Sequence, residues 1–112
     1  MPRPRKPRFV DASPIVKRFQ PHPFYSRKRE EVFLPIEGLE AIRLSDYEGL
    51  CQEEAAERMS VSRQTFGRIL VHARKTVAEA LVLGKILRIE GGNFEMPSRG
   101  GRRRRRGRGG PF

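Results

Sequence analysis

Arg63, Gln64 and Arg68, with Ser62 and Thr65 beside them and Lys75 farther along, are the side chains of this sequence best suited to recognition. Arginine can place two hydrogen bonds on a guanine edge and glutamine two on an adenine edge, and serine or threonine hydroxyls can reach a base or a phosphate. Catalysis has less to stand on. The sequence has no Gly-x-x-x-x-Gly-Lys loop, no nucleophile–base pair and no paired carboxylates with room for a cleft. His22 and His72 lack companion ligands, and a single cysteine, Cys51, forms neither an internal disulfide nor a multi-cysteine zinc site. The expectation is a binding protein without catalytic residues, metal or cofactor.

Charge supports the same reading. Over 112 residues, 24 bases against 13 acids give 24 − 13 = +11, and the excess lies in the tails. Residues 1–8 carry four positive charges and residues 98–112 carry seven arginines, neither with an acid. The middle is neutral in sum but polarised. Glu30 to Glu57 holds nine acids and one base, whereas Arg58 to Arg88 holds seven bases and one acid. Such a split suggests a face that meets a polyanion, although simple attraction between the two halves is the plainer alternative. No stretch approaches the roughly 20 apolar residues of a membrane span, and no apolar run follows the basic start as a secretory signal would require. A cytoplasmic, nucleoid-associated protein is the default.

The elements that would position these side chains can be read from period and punctuation. Residues 1–8 look like a basic, Pro-rich arm. Residues 9–33 form an extended or loop segment in which Phe9-Val10, Ile15-Val16 and Val32-Phe33-Leu34 could be short strands. A domain over residues 34–92 follows, and residues 93–112 form an Arg/Gly-rich tail expected to be disordered, with Phe94 to Pro97 as a connector. Leu34-Pro35 can open a helix that runs to about Tyr47 and stops at Gly49. Cys51 then stands as a weak N-cap, with Glu54 where the reciprocal partner of a capping box belongs. Ser60-Val61-Ser62 breaks that short helix, and Ser62 caps the next. Phe66, Ile69, Leu70, Ala73, Val77, Ala80 and Leu81 then repeat at three and four residues, an amphipathic stripe that Gly84 ends. Lys85 to Ile89 reads as a short strand. The stripe leaves Arg63, Gln64, Gly67, Arg68, Val71 and Lys75 on the other face. A short helix, a turn and a longer helix with a basic face is a helix-turn-helix pattern: the first helix braces the second, whose start enters the major groove. The fold class expected is mainly α.

The run from Gly49 to Arg68 resembles a widespread family of small prokaryotic proteins, domain of unknown function 134, regarded as DNA-binding. It is also similar to the region-four helix-turn-helix of sigma factors, where Gly-Leu-Ser-x-Glu-Glu-x-Ala leads into Val-Ser-x-x-Thr. The likeness extends from the Met1-Pro2-Arg3-Pro4-Arg5-Lys6 start to Gly92. It implies a sigma region-four-like, winged-helix-like architecture and DNA binding, without a target sequence. Two residues depart from the pattern. Cys51 replaces the usual Ser or Thr, and Ser60 replaces a Gly whose left-handed backbone would cost serine about 1 kcal/mol.

The tails have two readings. Arg3 and Arg5 could enter an A·T-rich minor groove. Arg99, Arg102 and Arg103 could anchor phosphates without regard to sequence, or bind RNA as Arg-Gly-Gly elements do. The functional expectation is a sequence-specific double-stranded DNA-binding transcriptional regulator. Its alternative is a nucleic-acid coat or RNA-binding protein driven by the C-terminal tail. A homodimer through Val71 and Leu83, and contact with RNA polymerase through the acidic helices, are further expected partners. Gly67, at a cost of roughly 1 kcal/mol against Ala, is either a point of close approach to DNA or a neighbouring helix, or a tolerated defect.

Overall fold

The computed structural model describes residues 7–22 and 29–96. Three helices dominate it, and short strands from both ends of the chain are added to them. The element order is β1 (Arg8–Phe9), β2 (Arg18–Phe19), β3 (Glu31–Leu34), α1 (Ile36–Ile42), α2 (Gln52–Arg58), α3 (Arg63–Leu83), β4 (Ile86–Ile89) and β5 (Phe94–Glu95). Among the described residues, no helix is long and apolar enough to cross a membrane.

Leu34 ends β3 rather than opening a helix, and Pro35 is the N-cap of α1, its ψ of 155 still extended. Proline has no N–H to leave unsatisfied there. Beyond Ile42 the chain winds on as a π-helical segment, Arg43–Tyr47, and Gly49 turns it away with φ +79. Leu44 is fully buried in that segment, so the wider turn keeps its side chain aimed at the core. Cys51 is the N-cap of α2, but its thiol makes no capping bond. The expected reciprocal bond from Glu54 is absent too; its carboxylate instead faces Arg58 at 3.8 Å, one turn on. Two acids in the first turn and Arg58 in the last still suit the helix dipole.

The turn between α2 and α3 is a Schellman closure. Ser60 N–H donates to Glu57 O at 3.1 Å and Val61 N–H donates to Ala56 O at 3.0 Å. This closure requires a left-handed residue, and Ser60 has φ +58, the lone positive φ outside glycine among the described residues. Ser60→Gly should therefore stabilise the domain by about 1 kcal/mol, a rise of several degrees in Tm. Thermal denaturation checks it, and no gain would mean that the turn relaxes out of this backbone in solution.

Ser62 then caps α3. Its Oγ accepts from Thr65 N–H at 3.1 Å. At the far end Gly84 adopts φ +66, and Arg29 Nη1 donates to Gly84 O at 2.8 Å, placing a cation at the negative end of the helix. The buried stripe is Phe66, Leu70, Ala73, Thr76 and Ala80. Leu81, expected on that stripe, is 78% exposed, because the buried line runs through Thr76 and Ala80 instead.

β4 is the centre of a three-stranded sheet, parallel to β3 and antiparallel to β2. A parallel pair needs a long crossover, and the three helices together supply it. Residues expected to be a connector, Phe94 and Glu95, instead form β5, parallel to β1. Arg8 accordingly belongs to a strand and is buried, not part of a free arm. Val10 and Ile89 join Leu34, Ile36 and Ala73 in one core cluster; Ala41, Leu44, Ala55, Ala56, Met59, Phe66 and Leu70 form the other. Ala55 and Ala56 let α2 lie close on α3, and Ile42 touches both clusters.

Candidate nucleic-acid interface

α3 is positioned from both sides. Phe66 and Leu70 bury it against α2 and the π segment, and Ala73 buries it against β3 and α1. Gly38 makes the α1 contact close: an added Cβ would sit 3.3 Å from Ala73 Cβ. This buried side fixes which residues remain outside. Gln64, Arg68, Val71 and Lys75, spaced four, three and four apart, fall on the exposed face with Arg63 at its start. Ser62 is exposed but committed, since its Oγ also donates to Thr65 Oγ1 at 3.0 Å. Thr65 is half-buried beside it.

The acids of the chain are shared unevenly. Arg74 forms an ion pair with Asp46 at 2.6 Å, and hydrogen bonding to it holds the Asp46 carboxyl below its usual range and raises Arg74. Lys85 bridges Glu79 at 2.7 Å and Glu30 at 3.0 Å; its hydrogen bond lowers the Glu79 carboxyl, with Lys75 adding a small pull. Arg88 meets Glu31 and Glu90 and lies 5.8 Å from the centre of the Phe33 ring. Arg43 takes Glu40, Asp11 and Glu48, the first of which pushes its guanidinium pKa up. Among the described residues, the side chains of Arg63, Gln64 and Arg68 make no such bond. So internal ion pairs engage Arg43, Arg74, Lys85 and Arg88, whereas Arg63 and Arg68 on the first two turns of α3 take part in none among the described residues.

Gly67 is half-buried between Arg63 and Arg68. A methyl group there would meet only Gln52 Oε1, at 3.8 Å, an ordinary contact. Packing of α2 on α3 therefore does not demand this glycine.

A groove of about 580 Å³ runs along the other flank of α3, between its first turns and the start of α1. Arg68, Thr65 and His72 form one wall, and Glu37 and Arg8 the other. Both Glu37 oxygens accept from Asn93 N–H, at 3.1 and 3.2 Å, which ties the loop after β4 to α1. Gly92 enables this with φ +108, and a Cβ there would collide with Glu37. Arg8 is the residue that sequence reading missed. It sits in a run of arginines and prolines, and nothing local separates it from its neighbours; its burial comes from pairing with Phe94, 86 positions away. The expected tail contacts at Arg3, Arg5, Arg99, Arg102 and Arg103 lie outside the described residues. So does the disorder expected of residues 98–112.

Residues 1–97 match the family described as "Protein of unknown function DUF134", and the chain belongs to that family. It is 51% identical over 112 residues to a UPF0251 protein of Caldanaerobacter subterraneus subsp. tengcongensis, covering 96% of this chain and 95% of that one. It is 54% identical over 96 residues to a UPF0251 protein of Thermoanaerobacter pseudethanolicus, covering 86% and 81%. A UPF0251 protein of Caldicellulosiruptor saccharolyticus is 57% identical over 94 residues, covering 84% and 66%. No solved structure matches the chain.

Proposed function

We propose that this DUF134 protein is a sequence-specific double-stranded DNA-binding protein that regulates transcription. α2, the turn at Ser60 and α3 act as a helix-turn-helix of the sigma region-four kind, and the three-stranded sheet braces the far end of α3 where a wing would stand. The observation that carries this reading is the set of uncommitted side chains on the first turns of α3, next to a pair of alanines that seat α2 behind them. Arg63 and Gln64 read base edges, Arg68 and Lys75 reach bases or phosphates, and Ser62 with Thr65 holds the helix start in place. The basic tails add affinity without selectivity. Arg3 and Arg5 are joined to the fixed Arg8 by a few residues, within about 20 Å of chain reach. Exposed Val71, Leu81, Val82 and Leu83 give α3 an apolar surface for a homodimer that spans paired half-sites, and exposed Glu53, Glu54 and Glu57 on α2 suit a contact with polymerase. The site of action is the nucleoid.

Competition against random duplex at about 150 mM salt tests this, because salt suppresses the sequence-blind component. Arg63→Ala and Gln64→Ala should each remove about 1–3 kcal/mol of preference for the bound site while leaving affinity for random duplex nearly unchanged. Equal loss on every sequence would exclude both from base readout. If deletion of residues 98–112 abolished binding and single-stranded RNA competed as well as duplex, the protein would be a coat driven by its tail. Gly67→Ala separates folding from binding: it should stabilise α3 by about 1 kcal/mol, since the added methyl group meets only Gln52 Oε1 at 3.8 Å, and weaken duplex binding if this turn of α3 closely approaches the DNA. Denaturation and binding isotherms on one preparation read both, and a tighter-binding variant would remove close approach as the reason for Gly67.

A further inference from the structure

Arg8 is 9% exposed, and its backbone is pinned. Its N–H donates to Asn93 O at 3.1 Å, and the next N–H, of Phe9, donates to Met59 O at 2.9 Å. The main chain is therefore held here, and only rotation about the side-chain bonds can move the guanidinium. Its Nε and Nη1, which carry most of its N–H donors, are shielded from solvent and find no acceptor. Among the described residues no carboxylate lies within ion-pair distance of it; Glu37, the acid of the same groove, gives both oxygens to Asn93. A buried guanidinium with open donors is unfavourable unless a partner completes it. Across the groove stand Arg68, uncommitted, with the Thr65 hydroxyl and His72. Two cations against one acid make the space net positive.

We propose that this groove is a phosphate-binding site in which rotation about the Arg8 side-chain bonds turns its shielded donors onto two oxygens of a phosphate and Arg68 closes on it from α3. Arg68 also borders the face assigned to the duplex, so the phosphate that fits is one of the DNA backbone, which would lock β1 and the recognition helix onto the same strand; in that respect the inference rests on the DNA-binding reading. The phosphate of a small phosphorylated molecule has the same chemistry, and the experiment separates the two sources.

The full chain is titrated with inorganic phosphate, against chloride at matched ionic strength, while the Nε–H resonance of Arg8 is followed by NMR. The expected result is a saturable shift of that resonance. In parallel, duplex affinity is measured against salt for the wild type, Arg8→Met and Arg8→Lys. Arg8→Met should weaken all duplexes alike, by about tenfold, and make the slope of log K against log salt shallower by about one unit; Arg8→Lys should keep the slope and lose part of the affinity. A shift with phosphate but wild-type duplex binding by Arg8→Met supports the site with a small phosphorylated molecule as its occupant. If the wild type bound no duplex, the DNA-binding reading would fail and the phosphate titration alone would decide this site. An unmoved Arg8 resonance together with an unchanged salt slope would overturn the proposal, and the titration needs no variant to fold.

Discussion

Phe66→Ala should cost about 3–5 kcal/mol, enough to leave little folded protein at 37 °C in a domain of this size. Phe66 is among the largest fully buried side chains, and it fills the angle between α2 and α3 against Met59, Ala55 and Ala56. The alanines on α2 cannot lengthen to fill the space, so the ring leaves a cavity that the turn at Ser60 would have to collapse. Because that same ring sets how far α3 stands from α2, partial folding of the variant should still be accompanied by loss of duplex binding. Urea denaturation followed by circular dichroism measures the first effect. A variant that lost less than about 1 kcal/mol would show that the two helices repack freely, contrary to the close seat assigned to them.

Arg43→Met should cost about 2 kcal/mol. Arg43 Nε and Nη2 donate to the two Glu40 oxygens at 3.0 and 2.8 Å, and Glu40 is only 5% exposed. Removing one partner of a buried pair costs about 3–5 kcal/mol, mainly because the other charge stays buried. Here Arg43 itself is one-third exposed, so water screens part of the interaction and the smaller figure applies. Asp11 and Glu48 would be released as well, freeing the chain that follows β1 and the end of the π segment. The second substitution, Glu40→Gln on top of Arg43→Met, should recover at least half the loss, because no charge is then left buried. Chemical denaturation of the single and double variants at neutral pH reads this, and an additive further loss would mean that Arg43 acts through packing alone.

What was legible in the sequence and what was not divide along the range of the interactions. Ser62 as a cap and the stripe from Phe66 through Ala80 are set by residues within one or two turns, and they were readable; the left-handed backbone at Ser60 was signalled only by the Gly that the similar helix-turn-helix pattern carries there. The π segment at Arg43–Tyr47 was not, because its cause is the long-range burial of Leu44 and the Arg43 cluster rather than local period. Glu37 and Glu40 counted in the sequence as acids of a charged half; in the structure both are buried, satisfied by Asn93 N–H and Arg43. Phe9-Val10 carried a short strand signal that overlaps β1, but Phe94-Glu95 carried none, so the pairing that buries Arg8 had no local trace. For the candidate site this meant that the exposed α3 face was readable residue by residue, whereas the groove on its flank was assembled from three distant parts of the chain.

Selection of bound duplexes from a random pool by the full chain, repeated with Arg63→Ala and Gln64→Ala, is the most direct measurement of whether α3 reads sequence. The account predicts a short enriched site in the wild-type pool. Arg63→Ala should lose a guanine position and Gln64→Ala an adenine position, with the remaining positions kept. A pool that stayed random through successive rounds with wild-type protein, or an enriched site that both variants reproduced unchanged, would contradict it.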